Sequence, residues 1–556
     1  MNLLLQTFES VPAPLWFDSW LTFWLILVIS LLNGVLMLFV GYKFLQILQL
    51  SGYKAKDYWG WIRSTKCKYW GRLVILSFLS SAALLVTNVL LEQLFVYKIL
   101  TYLGLIFYFL FSFVFIMNMY NAPQKTPLKY TKRMNRLCVV LAVLVAIFTF
   151  AIMTASSLYI PYFEYGAVGL TPILLPLLIT LAHFITAPFE NANSYSYVKK
   201  AKKIVESRKE LKVIGITGSF GKTSVKNILD TMLSVKYKVC ATPYSYNTPL
   251  GLSKTILNNL KPDDEILIAE MGAKHVGDIE YLVEMVRPSI GVITGIGNQH
   301  LATFGSLDNL KNTKFELIAG LKEGGKAYFN LDSEPNFELF ERAECNKMGT
   351  TIKDNFGSVF ASNIAVNERG SEFDLTINGE SVRVQTVLLG MHNISNILLC
   401  ASVAYDLGVT IGELQIAISK LVPSAHRLAI VPSQNSLVVI DDAYNGSVEG
   451  ARAALQTIKE FKTKKIVITP GLVELGSEEF NSNFMFGREM ASVCDYVIIN
   501  GIVNYEAISA GLEFGGFKKE NILRSGSLKQ AIEVLGTIAE PGDVVLFEND
   551  LPDNYT

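Results

Sequence analysis

Five long, almost uncharged apolar stretches occupy the first 190 residues, at about 19–48, 73–94, 97–119, 137–158 and 166–187, and nothing else in the chain restricts its fold as much. Crossing a hydrocarbon layer about 30 Å thick takes about 20 apolar residues in helix. Lipid offers no partner to backbone N–H and C=O groups, so such segments must satisfy their own hydrogen bonds as helices. The chain is expected to open with an α-helical membrane domain of five transmembrane helices. Only EQLFVYK separates the second stretch from the third, which predicts a hairpin, and the first is long enough to tilt or to extend beyond the bilayer.

Basic residues orient these spans. Lys54, Lys56, Arg63, Lys66, Lys68 and Arg72 follow the first; Lys125, Lys129, Lys132, Arg133 and Arg136 follow the third; YVKKAKKIVESRKE follows the fifth. The segment before the first span and the connection YIPYFEYGAV contain no Lys or Arg. Basic loops stay on the cytoplasmic side, so the N-terminus is expected outside and the C-terminal half in the cytoplasm. The opening MNLLLQTFESVPAP lacks the basic start of a cleaved signal peptide. His183, near the cytoplasmic end of the fifth span, is assigned no role.

From about residue 196 the pattern changes to alternating apolar and polar segments, as in a soluble α/β protein, so the zero net charge averages two unlike halves. Six scattered cysteines without a CxxC pair argue against a zinc site or disulfide framework and suit a reducing compartment. No basic, aromatic-interleaved groove points to nucleic acid.

Residues 214–224 read IGITGSFGKTS. The common phosphate loop has Gly, four residues, then Gly-Lys-Ser/Thr; here Ile216 takes the first glycine's place, and glycines fall at Gly215, Gly218 and Gly221. The context still suits phosphate. KVIGIT reads as an apolar strand, and TSVKNILDTMLSV has helical spacing through Val225, Ile228, Leu229, Met232 and Leu233. A glycine turn between strand and helix aims backbone N–H groups and the helix dipole at a phosphate. Lys222 would neutralise the outer phosphates and the Thr223 hydroxyl would ligate Mg2+. A plain glycine turn is the alternative reading of this segment alone.

Taken with the motifs downstream of it, the segment resembles the Mur ligase family, the ATP-dependent ligases that build peptidoglycan stems. That family's loop is T-G-[ST]-x-G-K-[ST], matched by Thr217, Gly218, Ser219, Phe220, Gly221, Lys222 and Thr223, with Ser224 next in the chain. The resemblance runs from about 208 to 550 and is nearest to the subgroup that adds D-Ala-D-Ala. ATPYSYNTPLG (241–251) is similar to its T-x-x-N-x-N-x-x-G segment at Asn247 and Gly251. ILIAEMGAKHVGDIE (266–280) matches a strand ending E-M-G-A, which implies Glu270 as a Mg2+ ligand. GIGNQHLATFGSLDNLKNTKFELI (295–318) implies His300 at a second metal and Lys314 as the lysine that the family carbamylates, with Lys311 a weaker alternative. GMHNISN (390–396) resembles a helix start that positions adenine through Asn393 and Asn396, with His392 beside them. SAHRLAI (424–430) puts Arg427 where the family's arginine reaches the nucleotide. LVVIDDAYNGS (437–447) implies Asp442 as the ribose contact; Tyr444 and Asn445 also match, and Gly446-Ser447 replaces the closing Asn-Pro.

The resemblance implies three parts: a transmembrane domain at 1–195, a Mur ligase central P-loop ATPase domain at 196–424 and a Rossmann-like C-terminal domain at 425–556. It also implies ATP and two Mg2+ ions, with a carboxylate activated as acyl phosphate and captured by an amine. Two departures bear on substrate. The membrane segment stands where the family has a soluble UDP-sugar-binding domain, and the chain ends in VVLFENDLPDNYT, acidic through Glu548, Asp550 and Asp553 where the subgroup is basic. The expectation is a multi-pass bacterial membrane ligase with cytoplasmic catalytic domains. Its partners would be the lipid bilayer, a lipid-linked or nucleotide-linked glycan acceptor bearing a carboxylate, and an amino acid or short peptide amine. The alternatives are a polymerising ligase similar to poly-γ-glutamate synthases and a non-catalytic ATP-binding membrane scaffold.

Overall fold

The computed structural model describes residues 20–65, 67–91, 106, 108–117, 127–159, 168–297, 304–352, 358–367, 369–423, 427–431, 433, 436–443, 448–473, 475, 478–501 and 503–549. The chain forms two compact units, Met1–Ser194 and Tyr195–Thr556.

The first unit is helical: Trp20–Val40, Tyr42–Leu50, Ala55–Ser64, Lys68–Leu91, Lys132–Tyr159 and the start of Thr171–Ser207, with a shorter apolar helix at Tyr108–Met117. Among the described residues, three helices are long and apolar enough to cross a membrane, at Phe23–Val40, Lys132–Ser156 and Thr171–Ser207. Of the other two expected spans, the second falls on the 24-residue helix Lys68–Leu91. The third reaches the described residues only in part, and the hairpin turn lies outside them. The expected first span is divided at Gly41, although the backbone ladder continues through it, with Gly41 N on Met37 O and Leu45 N on Gly41 O, each at 2.9 Å.

The basic segment after the fifth span forms the C-terminal part of the 37-residue helix, which contains Pro176 and Pro188. A proline inside a helix removes a backbone donor, and carbonyls around Pro176 take side-chain donors instead. Trp70 Nε1 donates to Ile173 O at 2.9 Å and the Tyr58 hydroxyl to Pro176 O at 3.5 Å.

The interior of this unit is apolar through Met37, Phe44, Leu45, Leu141 and Leu175, with a polar group set among them. Its interior holds fully buried Asn33, whose Nδ2 donates to Thr149 Oγ1 at 2.9 Å and Thr171 Oγ1 at 3.2 Å, while Tyr108 donates to Asn33 Oδ1 at 2.6 Å. Its outer surface exposes Ile75, Phe78, Val139, Ile147 and Phe184. Bundles packed in lipid use interhelical hydrogen bonds of this kind.

The second unit contains two six-stranded sheets and a small antiparallel one. Strands β1 (Lys212–Thr217), β2 (Val239–Ala241), β3 (Ile266–Glu270), β4 (Ile290–Ile293), β5 (Lys326–Asn330) and β6 (Asn346–Thr350) form a parallel sheet in the order β2-β3-β1-β4-β5-β6. After β1 the chain places β2 and β3 on one side and then β4, β5 and β6 on the other, so β1 lies at a topological switch, where open α/β sheets bind ligands beyond their strand ends. β7 (Val359–Asn367), β8 (Gly370–Ile377) and β9 (Glu380–Thr386) form the antiparallel sheet. Asn378 and Gly379, at φ +50° and +89°, make the β8–β9 turn. The last sheet runs β10 (Ala429–Val431), β11 (Val438–Asp442), β15 (Val544–Glu548), β12 (Lys465–Thr469), β13 (Tyr496–Asn500), β14 (Ile522–Ser525), parallel except at β10–β11. This is the doubly wound C-terminal architecture expected.

Helix Lys222–Leu233 turns Val225, Ile228, Leu229, Met232 and Leu233 into the core that carries β1 and β3. Helix Met391–Asp406, buried continuously from Asn393 to Ala404, shares that core. Truncating the fully buried Leu229 leaves a cavity in that shared core. Leu229→Ala is expected to cost about 2–5 kcal/mol, read as a lowered denaturation midpoint of the full-length protein.

Candidate active site

The glycine turn follows β1 directly. Gly221 (φ +80°) caps helix Lys222–Leu233 in a conformation that favours glycine. At Gly218 a Cβ would lie 2.0 Å from Thr294 Oγ1, so only glycine fits there. The turn is pinned to the end of β4: Ser219 N donates to Gly295 O at 2.7 Å and Thr294 Oγ1 to Phe220 O at 2.6 Å. Thr217 Oγ1 ties it to the end of β3 through Met271 O at 2.9 Å. Lys222 Nζ donates to Gly218 O and Ser219 O at 2.8 and 2.9 Å, across the turn it belongs to. Burial draws the Lys222 ammonium down to about 8, against the opposing pull of Glu270. Ser224 lines the same cavity one residue beyond Thr223.

β1 and β3 pair in parallel with Ile216 opposite Glu270, which sets the carboxylate beside the helix start. Glu270 Oε1 accepts from Thr223 Oγ1 and Asn247 Nδ2, both at 3.2 Å. Glu270 is 1% exposed, and its Oε2 accepts no hydrogen bond among the described residues. A buried carboxylate whose Oε1 meets a threonine hydroxyl beside the glycine turn suits a hard cation with oxygen ligands. The site residues fit Mg2+ on that ground.

These groups open into a cavity of about 880 Å³. On its other walls are Asn393 and Asn396, Asp332 and Ser395, and Arg427 and Asp442 from the C-terminal domain. Asn396 approaches the turn so closely that a Cβ on Gly221 would stand 3.3 Å from its Oδ1. Asn393 Nδ2 donates to Leu389 O at 2.8 Å. Asp442 Oδ1 accepts from Leu428 N at 2.9 Å, and burial pushes its carboxyl up to about 6. Its register partner at the end of β15 is Glu548. Glu548, counted with the acidic tail, is fully buried; Asp550 and Asp553 lie outside the described residues. Burial, reinforced by Asp442, holds the Glu548 carboxyl well above the usual range.

Lys314 is 3% exposed on helix Leu307–Ala319 and does not line the cavity. Burial, and then the Lys222 charge, draw its ammonium down to about 7, which leaves much of the amine neutral near neutral pH. Lys311 instead pairs with Asp308 at 2.9 Å and Glu338 at 2.6 Å, which removes it as the alternative. His300, Tyr444 and Asn445 lie outside the described residues.

Two residues of the site carry no motif in the sequence. Lys226 is buried and 3.5 Å from Glu270 Oε2. Asp332 accepts from Thr351 Oγ1 at 2.7 Å, from Ile352 N at 3.0 Å and from Ser395 Oγ. A lysine four residues after Lys222, on a helix face otherwise apolar, is the available signal for the first.

Residues 216–404 match the Mur ligase middle domain and residues 426–548 the Mur ligase glutamate ligase domain. The UDP-N-acetylmuramoyl-tripeptide--D-alanyl-D-alanine ligase of Mycobacterium tuberculosis is 32% identical over 286 residues, covering 50% of this chain and 56% of that protein. The Bacillus subtilis protein of that name is 28% identical over 61% of this chain and 72% of its own length. The chain thus spans little more than half the length of the first of these relatives. The MurF ligase structure from Thermotoga maritima in complex with ADP is 26% identical, with a TM-score of 0.58 over 64% of this chain and 80% of that one.

The Asp442–Glu548 pair makes stability depend on pH. The unfolded chain ionises Glu548 near its ordinary value of 4.5, and the folded one only well above it, so folding loses stability as pH rises from 4.5 through the folded value. Glu548→Gln removes that loss. Its melting temperature is expected to exceed the parent's by a few degrees at about pH 8, with the difference shrinking toward about pH 5; thermal melts at the two pH values check this.

Proposed function

We propose, from the premise that residues 216–404 and 426–548 belong to the Mur ligase family, that the protein is an ATP-dependent, ADP-forming amide ligase of cell-wall precursor synthesis. The observation that carries this reading is the convergence, on one cavity, of the glycine turn, Lys222, Thr223 and Glu270 with Asn393, Asn396, Arg427 and Asp442. Phosphoryl transfer asks a protein mainly for positioning and for positive charge around the transferred group, and this set supplies both.

In the proposed reaction a carboxylate oxygen of the acceptor attacks the γ-phosphorus of ATP, and the bond to the ADP oxygen breaks. The amine nitrogen then attacks the acyl carbon, phosphate leaves, and the nitrogen gives up a proton. The N–H groups of residues 217–224 and the Lys222 ammonium receive the phosphates. Asn393 and Asn396 border the adenine, Asp442 the ribose and Arg427 the nucleotide's charged end. Thr223 and Glu270 would hold one Mg2+, and His300 with a carbamylated Lys314 would hold a second. When bound, these ions neutralise charge developing on the phosphoryl oxygens. The lowered ammonium of Lys314 supports carbamylation, since only a neutral amine adds carbon dioxide.

The helical unit is proposed to be membrane-embedded, with five spans and the ligase domains in the cytoplasm. Its apolar outer surface and the hydrogen bonds among its few buried polar groups support this, as do the basic segments that follow the first, third and fifth expected spans. A membrane unit preceding a ligase favours an acceptor that is itself lipid-linked at the inner leaflet. A nucleotide-linked acceptor is the second reading, favoured by the UDP-linked substrate in the relatives' name.

Purified full-length protein should release ADP in the presence of acceptor and amine. Lys222→Ala or Glu270→Ala should reduce that rate at least about a hundredfold, and ADP release unchanged in both variants would rule out the ligase reading. With lipid-linked and UDP-linked muramoyl peptides compared at equal concentration, faster turnover of the lipid-linked form is expected; faster turnover of the soluble form would select the second reading.

A further inference from the structure

The two oxygens of Glu270 have different surroundings. Oε1 accepts from Thr223 and Asn247. Oε2 accepts no hydrogen bond among the described residues and faces Lys226 Nζ at 3.5 Å, a charge contact longer than a good hydrogen bond. Both side chains are buried, with 3% of the lysine's and 1% of the glutamate's surface exposed. An ammonium removed from water to this extent needs compensation, and Lys226 finds it in Glu270 and in the carbonyl of Tyr244, to which it donates a hydrogen bond.

That carbonyl belongs to an unusual residue. Tyr244 is 83% exposed and sits at φ +50°, a left-handed backbone that a bulky L-residue rarely adopts unless its surroundings hold it there. Three residues later, Asn247 donates to Glu270 Oε1. Lys226 therefore joins the helix after the glycine turn, the end of β3 and the 242–248 loop. Lys222 and Lys226, one helical turn apart, divide the work: the first turns back onto the glycine turn and the second onto the carboxylate.

We propose that Lys226 is a positioning residue for the metal site, anchoring Oε2 of Glu270 so that Oε1 stays turned toward Thr223, and holding the Asn247 loop against the same carboxylate. The inference rests on the nucleotide and metal reading of this pocket. It predicts that Lys226 acts on metal affinity more than on the nucleotide itself, because the lysine reaches Glu270 and not the cavity.

The test is ADP binding by full-length protein in detergent, measured by calorimetry as Mg2+ is titrated. Lys226→Met is expected to bind ADP without Mg2+ within about twofold of the parent. Its Mg2+ concentration for half-maximal enhancement should rise about tenfold or more, the usual consequence of losing a partner of a metal ligand. Lys226→Arg, which keeps a cation, should fall between the two. An unchanged Mg2+ requirement in Lys226→Met would overturn the proposal. So would an equal loss of ADP binding with and without Mg2+, since that marks a packing residue. Parent protein that binds ADP without regard to Mg2+ would overturn the proposed function as well, which separates the two failures. Should Lys226→Met not fold, adding Glu270→Gln leaves no buried charge alone and is expected to restore folding; a double variant that stays unfolded would also overturn the pairing.

Discussion

A carboxylate with 1% of its surface exposed, Glu270 at the end of β3, is the group around which the catalytic half is arranged. An isolated buried charge is expensive, and removing one partner of a buried pair costs more than the pair contributes. Glu270 is accommodated because a hydroxyl, an amide and an ammonium reach it from two segments: Thr223 and Lys226 from the helix, Asn247 from the loop after β2. Parallel pairing of β1 with β3 decides whether they can. Ile216 stands opposite Glu270, and a slip of one residue would turn the carboxylate to the other face of the sheet.

Around that carboxylate the cavity combines donors and charge from two sheets. The first contributes the glycine turn and its lysine; the domain beginning near Arg427 contributes that arginine and Asp442. A phosphoryl group held between them would be removed from water, and electrostatic effects grow as the local dielectric falls. Lys222 and Lys314 are both drawn down by burial, and Lys222 further lowers Lys314. Of the two, only Lys222 lines the pocket, where a bound polyphosphate would favour its charged form.

The helical unit distributes its apolar and polar side chains differently. Large apolar side chains such as Phe78 and Val139 face outward, while Asn33, Thr149, Thr171 and Tyr108 satisfy one another inside. In water that arrangement would expose apolar surface and gain little; in hydrocarbon it exposes what the solvent accepts and pairs what it does not. Both halves meet one requirement, that buried polar groups be matched.

Features encoded by neighbouring residues are legible without a structure. Apolar runs announce helices because composition over about 20 residues suffices, and the glycine turn announces itself because strand, turn and helix are contiguous. The β8–β9 hairpin carries a comparable local signal in Asn378-Gly379, a dipeptide suited to a positive-φ turn. Lys226, Asp332 and Glu548 are a different matter. Glu548 looks like part of an acidic tail and is the buried end of a strand, because β15 inserts between β11 and β12. Lys311 and Lys314 are three residues apart and chemically identical, yet one lies among surface carboxylates and the other is buried near Lys222. By itself the sequence determined which segments read as helix, strand and glycine turn, since those depend on local periodicity and turn chemistry. Only the tertiary structure decided which charges face each other, because a charge's partner and its solvation are set by strand order and register across tens of residues of chain.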